Sequence, residues 1–424
     1  MQPFVLQIIM FLAAIAAMNH MKYGLRYQVI FFIPFTAAAL FRITAVGGTT
    51  VTALHISGAL LFALLLLKQK SLSYQATVKS SVIILPFILT LIYCSFYFEP
   101  VRVWDIQKAT FLVATSLTLT NVTQLIYFVF ALVLFVLFSS LEFDAVKLQK
   151  ILNASLWTVV GVSVFQLVTY YAGVHDVYKF FFYNIGTEMV NQGFLWGWKR
   201  INATFQEPSY LAHFLFYTLL FYLLNFGYKE FIRSKAVIAA AIIGILSTAT
   251  TFYLGFFIII LVLYFRYASS DEKMYYYVVL ALIGPLVLYL LYDVIFEYYN
   301  SKGTSNQQRI YVSWTLAWEA FEKSPFFGVA YGTTRPLFIY TQLLTAIGIF
   351  GCTLFLVGLF WGGNTANSKI FLLGCLGVGL GNFELARPEM WLYFGMLNNR
   401  YQYNRSKALD RSHRVKQSHT TTVM

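Results

Sequence analysis

Charge is scarce in this 424-residue chain. Only 11% of its residues are Asp, Glu, Lys or Arg, against roughly 25% in an ordinary soluble domain, which excludes a water-soluble globule. The three cysteines, Cys94, Cys352 and Cys375, are odd in number, widely spaced and set in apolar runs. They form neither a disulfide framework nor a zinc pattern and read as buried packing residues. The six histidines (His20, His55, His175, His213, His413 and His419) lack metal-ligand spacing, so no structural metal and no cofactor are expected. No block recurs at a fixed period and no Pro-rich or Gly/Ser-rich linker divides the chain, so residues 1–424 read as one integral domain.

What the chain has instead is apolar sequence. Hydrophobic residues make up 59% of it and the mean hydropathy is +0.67. Each run of about 20 such residues can cross a hydrocarbon core about 30 Å thick. The predicted fold is therefore all-α, a polytopic transmembrane helical bundle of about 12 spans with two large periplasmic loops. Pro3 to Met18 comes first; nothing positive precedes it and no convincing cleavage site follows, so this helix is expected to be retained. Further spans are predicted at Val29 to Phe41, Val51 to Leu67, Ser81 to Phe98, Val122 to Ser140, Ile151 to Val174 and Pro208 to Phe226. The second half gives Ala236 to Thr248, Phe252 to Phe265, Tyr275 to Tyr292, Leu337 to Trp361, Ile370 to Phe383 and a short piece around Trp391 to Leu397. Counting Val29 to Phe41 as a span gives thirteen crossings; treating one early segment as interfacial gives twelve.

The net charge of +13 does not point to nucleic acid, because Lys and Arg sit in short connections where they set topology. Lys68, Lys70 and Lys79 mark one connection, Lys147 and Lys150 another. Lys229, Arg233 and Lys235 mark a third, and Arg266 and Lys273 a fourth. All are predicted to be cytoplasmic, as is the basic tail of residues 400–424 with Arg405, Lys407, Arg411, Arg414 and Lys416. Anionic lipid attraction predicts the same side. Glu99 to Asn121, His175 to Glu207 and Asp293 to Pro336 then face outward, the last two being the large loops.

Arg200 closes the first large loop, in Lys199-Arg200-Ile201-Asn202-Ala203-Thr204-Phe205-Gln206-Glu207-Pro208-Ser209-Tyr210. Its planar fork of donors suits bidentate contact with phosphate oxygens, although an interfacial arginine can simply snorkel. Glu207 has two readings. Thr204-x-x-Glu207 fits a capping box, while a carboxylate at the bundle lip can accept a proton from an attacking hydroxyl. His213 lies within the following span, where a lone histidine is more often a hydrogen-bonded core residue.

In the second large loop, Ser305-Asn306-Gln307-Gln308-Arg309 precedes Ile310, Trp314, Ala317, Trp318 and Phe321 at helical spacing. An amphipathic helix is predicted, capped by Ser305 and Gln308, ended by Ser324-Pro325, with Gly328 and Gly332 in the turn beyond. Its apolar stripe suits the bilayer surface, and Arg309 falls in its first turn, where backbone N–H groups favour an anion. A merely solvated arginine is the plainer alternative. Ser247-Thr248-Ala249-Thr250-Thr251 sits between two short spans as a tight hairpin or broken helix; small hydroxyl residues there more often bond their own backbone. Glu384, Arg387 and Glu389 are further outward candidates, or pair with one another. The candidate catalytic set is Arg200, Arg309 and Glu207, and the candidate substrate-binding set is Arg200, Arg309, Arg335, Thr204, Tyr210, Tyr311 and Thr251.

Three pieces in order, Arg200 to Tyr210, Ser247 to Gly255 and Arg309 to Gly332, make residues 120 to 400 resemble the bacterial O-antigen polymerase and ligase superfamily, especially the Wzy-type polymerases. The resemblance implies inverting, metal-independent glycosyl transfer at the outer face of the bacterial inner membrane. The donor would be an undecaprenyl-pyrophosphate-linked oligosaccharide, with Arg200 and Arg309 holding its diphosphate. The absence of an Asp-x-Asp motif suits that chemistry. Implied partners are membrane lipids and a chain-length regulator protein, with no nucleic acid. Family ligases carry a histidine in the second large loop and Asp293 to Pro336 has none, which favours polymerase over ligase. A lipid-linked oligosaccharide flippase is a further alternative, disfavoured because the informative charges sit in long outer loops.

Overall fold

A computed structural model describes residues 3–35, 39–43, 49–68, 72–105, 110–174, 177–178, 199–205, 207–267, 313–333, 339–362, 365–379 and 385–399. These form an all-α membrane bundle with fourteen α-helices among the described residues. The helices are α1 (Pro3–His20), α2 (Leu25–Phe31), α3 (Ala53–Leu67), α4 (Tyr74–Phe96), α5 (Leu119–Ser140), α6 (Ala145–Tyr171) and α7 (Pro208–Phe226). They continue with α8 (Tyr228–Arg233), α9 (Lys235–Leu246), α10 (Thr250–Tyr267), α11 (Ser313–Lys323), α12 (Ile339–Gly362), α13 (Ala366–Val378) and α14 (Pro388–Asn398). Six of them, α4, α5, α6, α7, α10 and most of α12, are long and apolar enough to cross a membrane.

The apolar runs became helices because, in a bilayer, backbone groups must be satisfied within their own segment. Val29 to Phe41 is the exception. Here α2 ends at Phe31, a 3-10 turn covers Ile33–Phe35, and a strand β1 (Ala39–Ile43) pairs antiparallel with β2 (Thr49–Thr52). Pro34 has no N–H to extend the helical ladder, so this segment is not a span. A second hairpin, β3 (Val101–Asp105) with β4 (Thr110–Ala114), lies in the connection after α4. The predicted span at Tyr275 to Tyr292 and the tail of residues 400–424 lie outside the described residues.

Helix α7 forms the centre of the bundle and is buried over most of its length. It packs against α10, α13 and α14, while α14 runs along α5 and α12 along α4. Gly395 of α14 makes the closest of these approaches, since a Cβ there would stand 2.6 Å from the Phe135 carbonyl oxygen.

Hydrogen bonds between helix ends sort the molecule into two ends. At one, the Ser73 N–H donates to Ser140 Oγ at 2.8 Å, and Gln149 donates to Tyr222 Oη at 2.9 Å. Asn367 donates to the Leu224 carbonyl at 2.6 Å, and Asn399 to that of Leu141 at 2.7 Å. Lys68, Lys147, Lys150, Lys229, Arg233 and Lys235 all belong to the segments joined at this end. At the other, Thr90 donates to the Phe327 carbonyl at 2.8 Å and Asn121 to that of Tyr331 at 2.9 Å. Gln166 near the C-terminus of α6 meets Asn202 there.

Candidate functional site

The approach to α7 includes a strap of irregular backbone, residues 201–205, rather than an open loop. Ile201, Asn202, Ala203, Thr204 and Phe205 are all buried. Non-helical chain inside a membrane bundle must find internal partners, and Gln166 supplies them. Its Oε1 accepts from the backbone N–H groups of both Asn202 and Ala203 at 3.1 Å, and its Nε2 donates to Asn202 Oδ1. Asn202 Nδ2 in turn donates to the Phe205 carbonyl at 2.6 Å. The Tyr178 hydroxyl donates to the carbonyl of Ala203, a non-glycine residue held at φ 48°. Burial pushes the Tyr178 hydroxyl pKa up, so it stays protonated as a donor.

Arg200 and Glu207 flank this strap, both half-buried. Lys199, next to Arg200, is buried with its ammonium 5.3 Å from the Tyr170 ring centroid. The capping box predicted for Thr204 and Glu207 is absent. Helix α7 starts three residues too late for it: Pro208 is the first helical residue, Glu207 is itself the N-cap, and its side chain makes no capping bond. Thr204 instead donates to the Pro34 carbonyl at 2.5 Å. Glu207 Oε2 accepts from the Ser209 hydroxyl at 3.0 Å.

Tyr210, in the first turn of α7, lies under Arg387, whose guanidinium carbon is 4.1 Å from the ring centroid. Arg387 and Glu389 pair with each other at 3.1 Å. His213 is fully buried, with Nδ1 2.7 Å from the Ser209 carbonyl; that carbonyl can only accept, so Nδ1 carries the proton. Ser247 to Ala249 form the expected tight turn between α9 and α10, with Ser247 donating to the Gly244 carbonyl at 2.6 Å and Thr251 buried. From the basic end, α9 rises only about 18 Å and α7 about 28 Å at 1.5 Å per residue, so this turn is set below the start of α7.

The second large loop is described from residue 313 to 333. Helix α11 matches the predicted helix from Ser313 and ends before Ser324-Pro325, its predicted start at Ser305 to Arg309 lying outside the described residues, and Gly328 (φ 76°) and Gly332 (φ 89°) occupy the turn. Its orientation differs from the expected one. Leu316, Ala317 and Ala320 face inward, with Ala320 packed among Val101 and Val329, while Trp314 and Trp318 remain 57% and 51% exposed. Only the aromatic part of the stripe is thus open to the surroundings. Arg102 of β3 makes a two-pronged pair with Glu319, which raises the arginine's pKa through the hydrogen bond and the opposite charge. Lys323 donates to the Pro100 carbonyl.

Behind this helix, α12 is broken at Gly348 (φ 62°), where the turn of residues 324–329 is stitched into the gap. Ile349 N–H donates to the Pro325 carbonyl at 2.9 Å and Phe350 N–H to that of Phe326 at 3.3 Å. A Cβ at Gly348 would sit 2.4 Å from Phe326 backbone atoms. The strap of Arg200 and Glu207 and the docked helix α11 therefore lie at the same end of the bundle, opposite the basic end. Arg309, Tyr311, Arg335, His175 and Glu384 lie outside the described residues.

Residues 235–348, from the first residue of α9 to the break in α12, match the family model described as O-Antigen ligase. The match supports the O-antigen polymerase and ligase superfamily. It includes Thr251, Arg309, Tyr311 and Arg335 and stops short of Arg200 and Glu207. A search of curated proteins returned no match. The superfamily contains both polymerases and ligases, and the six helices that are long and apolar enough to cross a membrane suit a multi-pass membrane protein.

Proposed function

We propose that the chain is an O-antigen polymerase of the bacterial inner membrane, transferring a growing glycan from undecaprenyl pyrophosphate to the non-reducing end of another lipid-linked repeat unit. The observation that carries this reading is the rigid strap holding Arg200 and Glu207 at the end that also receives α11, the helix just beyond Arg309. The basic end opposite faces the cytoplasm by the bias of Lys and Arg in short connections. On this reading the strap lies on the periplasmic side.

In the proposed reaction the acceptor hydroxyl attacks the anomeric carbon, the glycosyl–oxygen bond to the diphosphate breaks, and the configuration inverts. The guanidinium groups of Arg200 and Arg309 stabilise the charge that develops on the departing diphosphate. Glu207 takes the hydroxyl proton. Arg335, Tyr311, Thr251, Thr204 and Tyr210 complete the binding set, the last two acting through the packing of the strap. A chain-length regulator is a proposed partner.

Ligase is the second reading, and the lack of histidine between Asp293 and Pro336 disfavours it. A deletion strain separates the two on one lipopolysaccharide gel. Loss of a polymerase leaves lipid A–core capped with a single repeat; loss of a ligase leaves polymer on its carrier lipid. Arg200→Ala and Arg309→Ala are each expected to abolish long chains at unchanged protein level, and a normal ladder from either variant overturns the paired clamp. Glu207→Gln retaining full transfer would remove that residue from the chemistry.

A further inference from the structure

Helix α14 begins with an ion pair where a bundle needs none for packing. Arg387 is the N-cap of α14 and Glu389 lies in its first turn, joined at 3.1 Å with side chains only 7% and 2% exposed. Two charges removed from water this far bring a large desolvation penalty, and well-packed apolar residues of the same volume are often at least as stable. Specific geometry is what such a pair adds, and here it has an identifiable target. The guanidinium carbon lies over the Tyr210 ring, 4.1 Å from its centroid. Tyr210 shares a turn with Glu207, whose carbonyl accepts from the Tyr210 N–H at 3.0 Å. The guanidinium thus contacts both the Glu389 carboxylate and the Tyr210 ring. Trp391, one turn further on, donates from its indole to the Leu385 carbonyl at 2.7 Å and fixes the segment leading to Arg387.

We infer that Arg387 is a positioning residue: with Glu389 as its anchor, it clamps the first turn of α7 through Tyr210 and so fixes where the strap presents Arg200 and Glu207. This rests on the polymerase reading for its functional meaning, though not for its mechanics. Gln166 holds the strap from the α6 side and Arg387 from the α14 side, so the segment is gripped from two helices distant in sequence. With its charge matched by Glu389, Arg387 serves as a strut and leaves diphosphate binding to Arg200 and Arg309. A lysine cannot replace it, because an ammonium is a point charge without the flat face that stacks on the ring.

The test uses the full chain in liposomes and two readouts. Hydrogen–deuterium exchange is followed in residues 199–211 and, as an internal control, in the basic-end segments around Ser73 and Ser140. Glycan transfer is followed with a defined polyprenyl-diphosphate-linked repeat unit. Arg387→Lys and the apolar double variant Arg387→Met with Glu389→Leu are both expected to speed exchange in the strap and leave the control segments as in the parent. Transfer should lose on the order of 10- to 100-fold in kcat, as expected for misplaced groups, with KM changed less than about threefold. Parent-like strap exchange in both variants overturns the inference, as does a well-folded double variant with parental kcat. Faster strap exchange in variants of a parent that transfers no glycan upholds the strut and overturns the polymerase reading instead.

Discussion

Arg102 and Glu319 meet at the outside of the structure with side chains 53% and 28% exposed, whereas Arg387 and Glu389 meet inside it at 7% and 2%. The outer pair joins a hairpin to a helix, two elements already packed through Val101 and Ala320. Water screens it, and such pairs add little to stability. The inner pair works where screening fails. Its value lies in the penalty for breaking it, because either partner left alone becomes a buried charge. The same two residue types thus act as a loose tether in one place and as an alignment device in the other.

Breaking the inner pair should give the largest effect. Arg387→Ala leaves the Glu389 carboxylate buried without its ion-pair partner, and the expected loss is about 3–5 kcal/mol, measurable as a lowered unfolding midpoint in detergent. The double variant with two apolar residues should recover most of that loss, which separates the cost of an orphaned charge from the worth of the pair. Next comes the neutral counterpart of the inner pair, Gln166. Gln166→Leu strips acceptors from the Asn202 and Ala203 N–H groups, and each buried group left unsatisfied costs about 1–3 kcal/mol. Faster backbone exchange in residues 199–205 is the measurement. The smallest effect is expected from Arg102→Ala, whose unfolding midpoint should stay close to the parent's and whose residual difference should fade as salt is raised. A large salt-insensitive loss there would erase the distinction between the pairs.

Most of the bundle was readable from apolar run length. Tyr74–Phe96, Leu119–Ser140, Ala145–Tyr171 and Pro208–Phe226 all overlap the predicted spans and differ mainly at their ends. Apolar character alone misled at Val29 to Phe41, where Pro34 outweighs hydropathy. Both hairpins were missed; Val101-Arg102-Val103 alternates as a strand should, but it reads as loop when only long runs are sought. At the site, the order of the charged pieces was legible and their supports were not. Gln166 stands out in an otherwise apolar span, and an amide there signals an internal partner. Its partner Asn202 lies 36 residues away, a separation that no local pattern reveals. The supposed capping box failed by register, since Thr204 and Glu207 match the motif's letters but the helix begins at Pro208.

The interruption at Gly348 limits how this end of the protein can meet negative charge. A helix restarting there would ordinarily offer its leading amides to a phosphate. Two of those amides, on Ile349 and Phe350, are already spent on the carbonyls of Pro325 and Phe326. Those two main-chain donors are therefore not open to an anion.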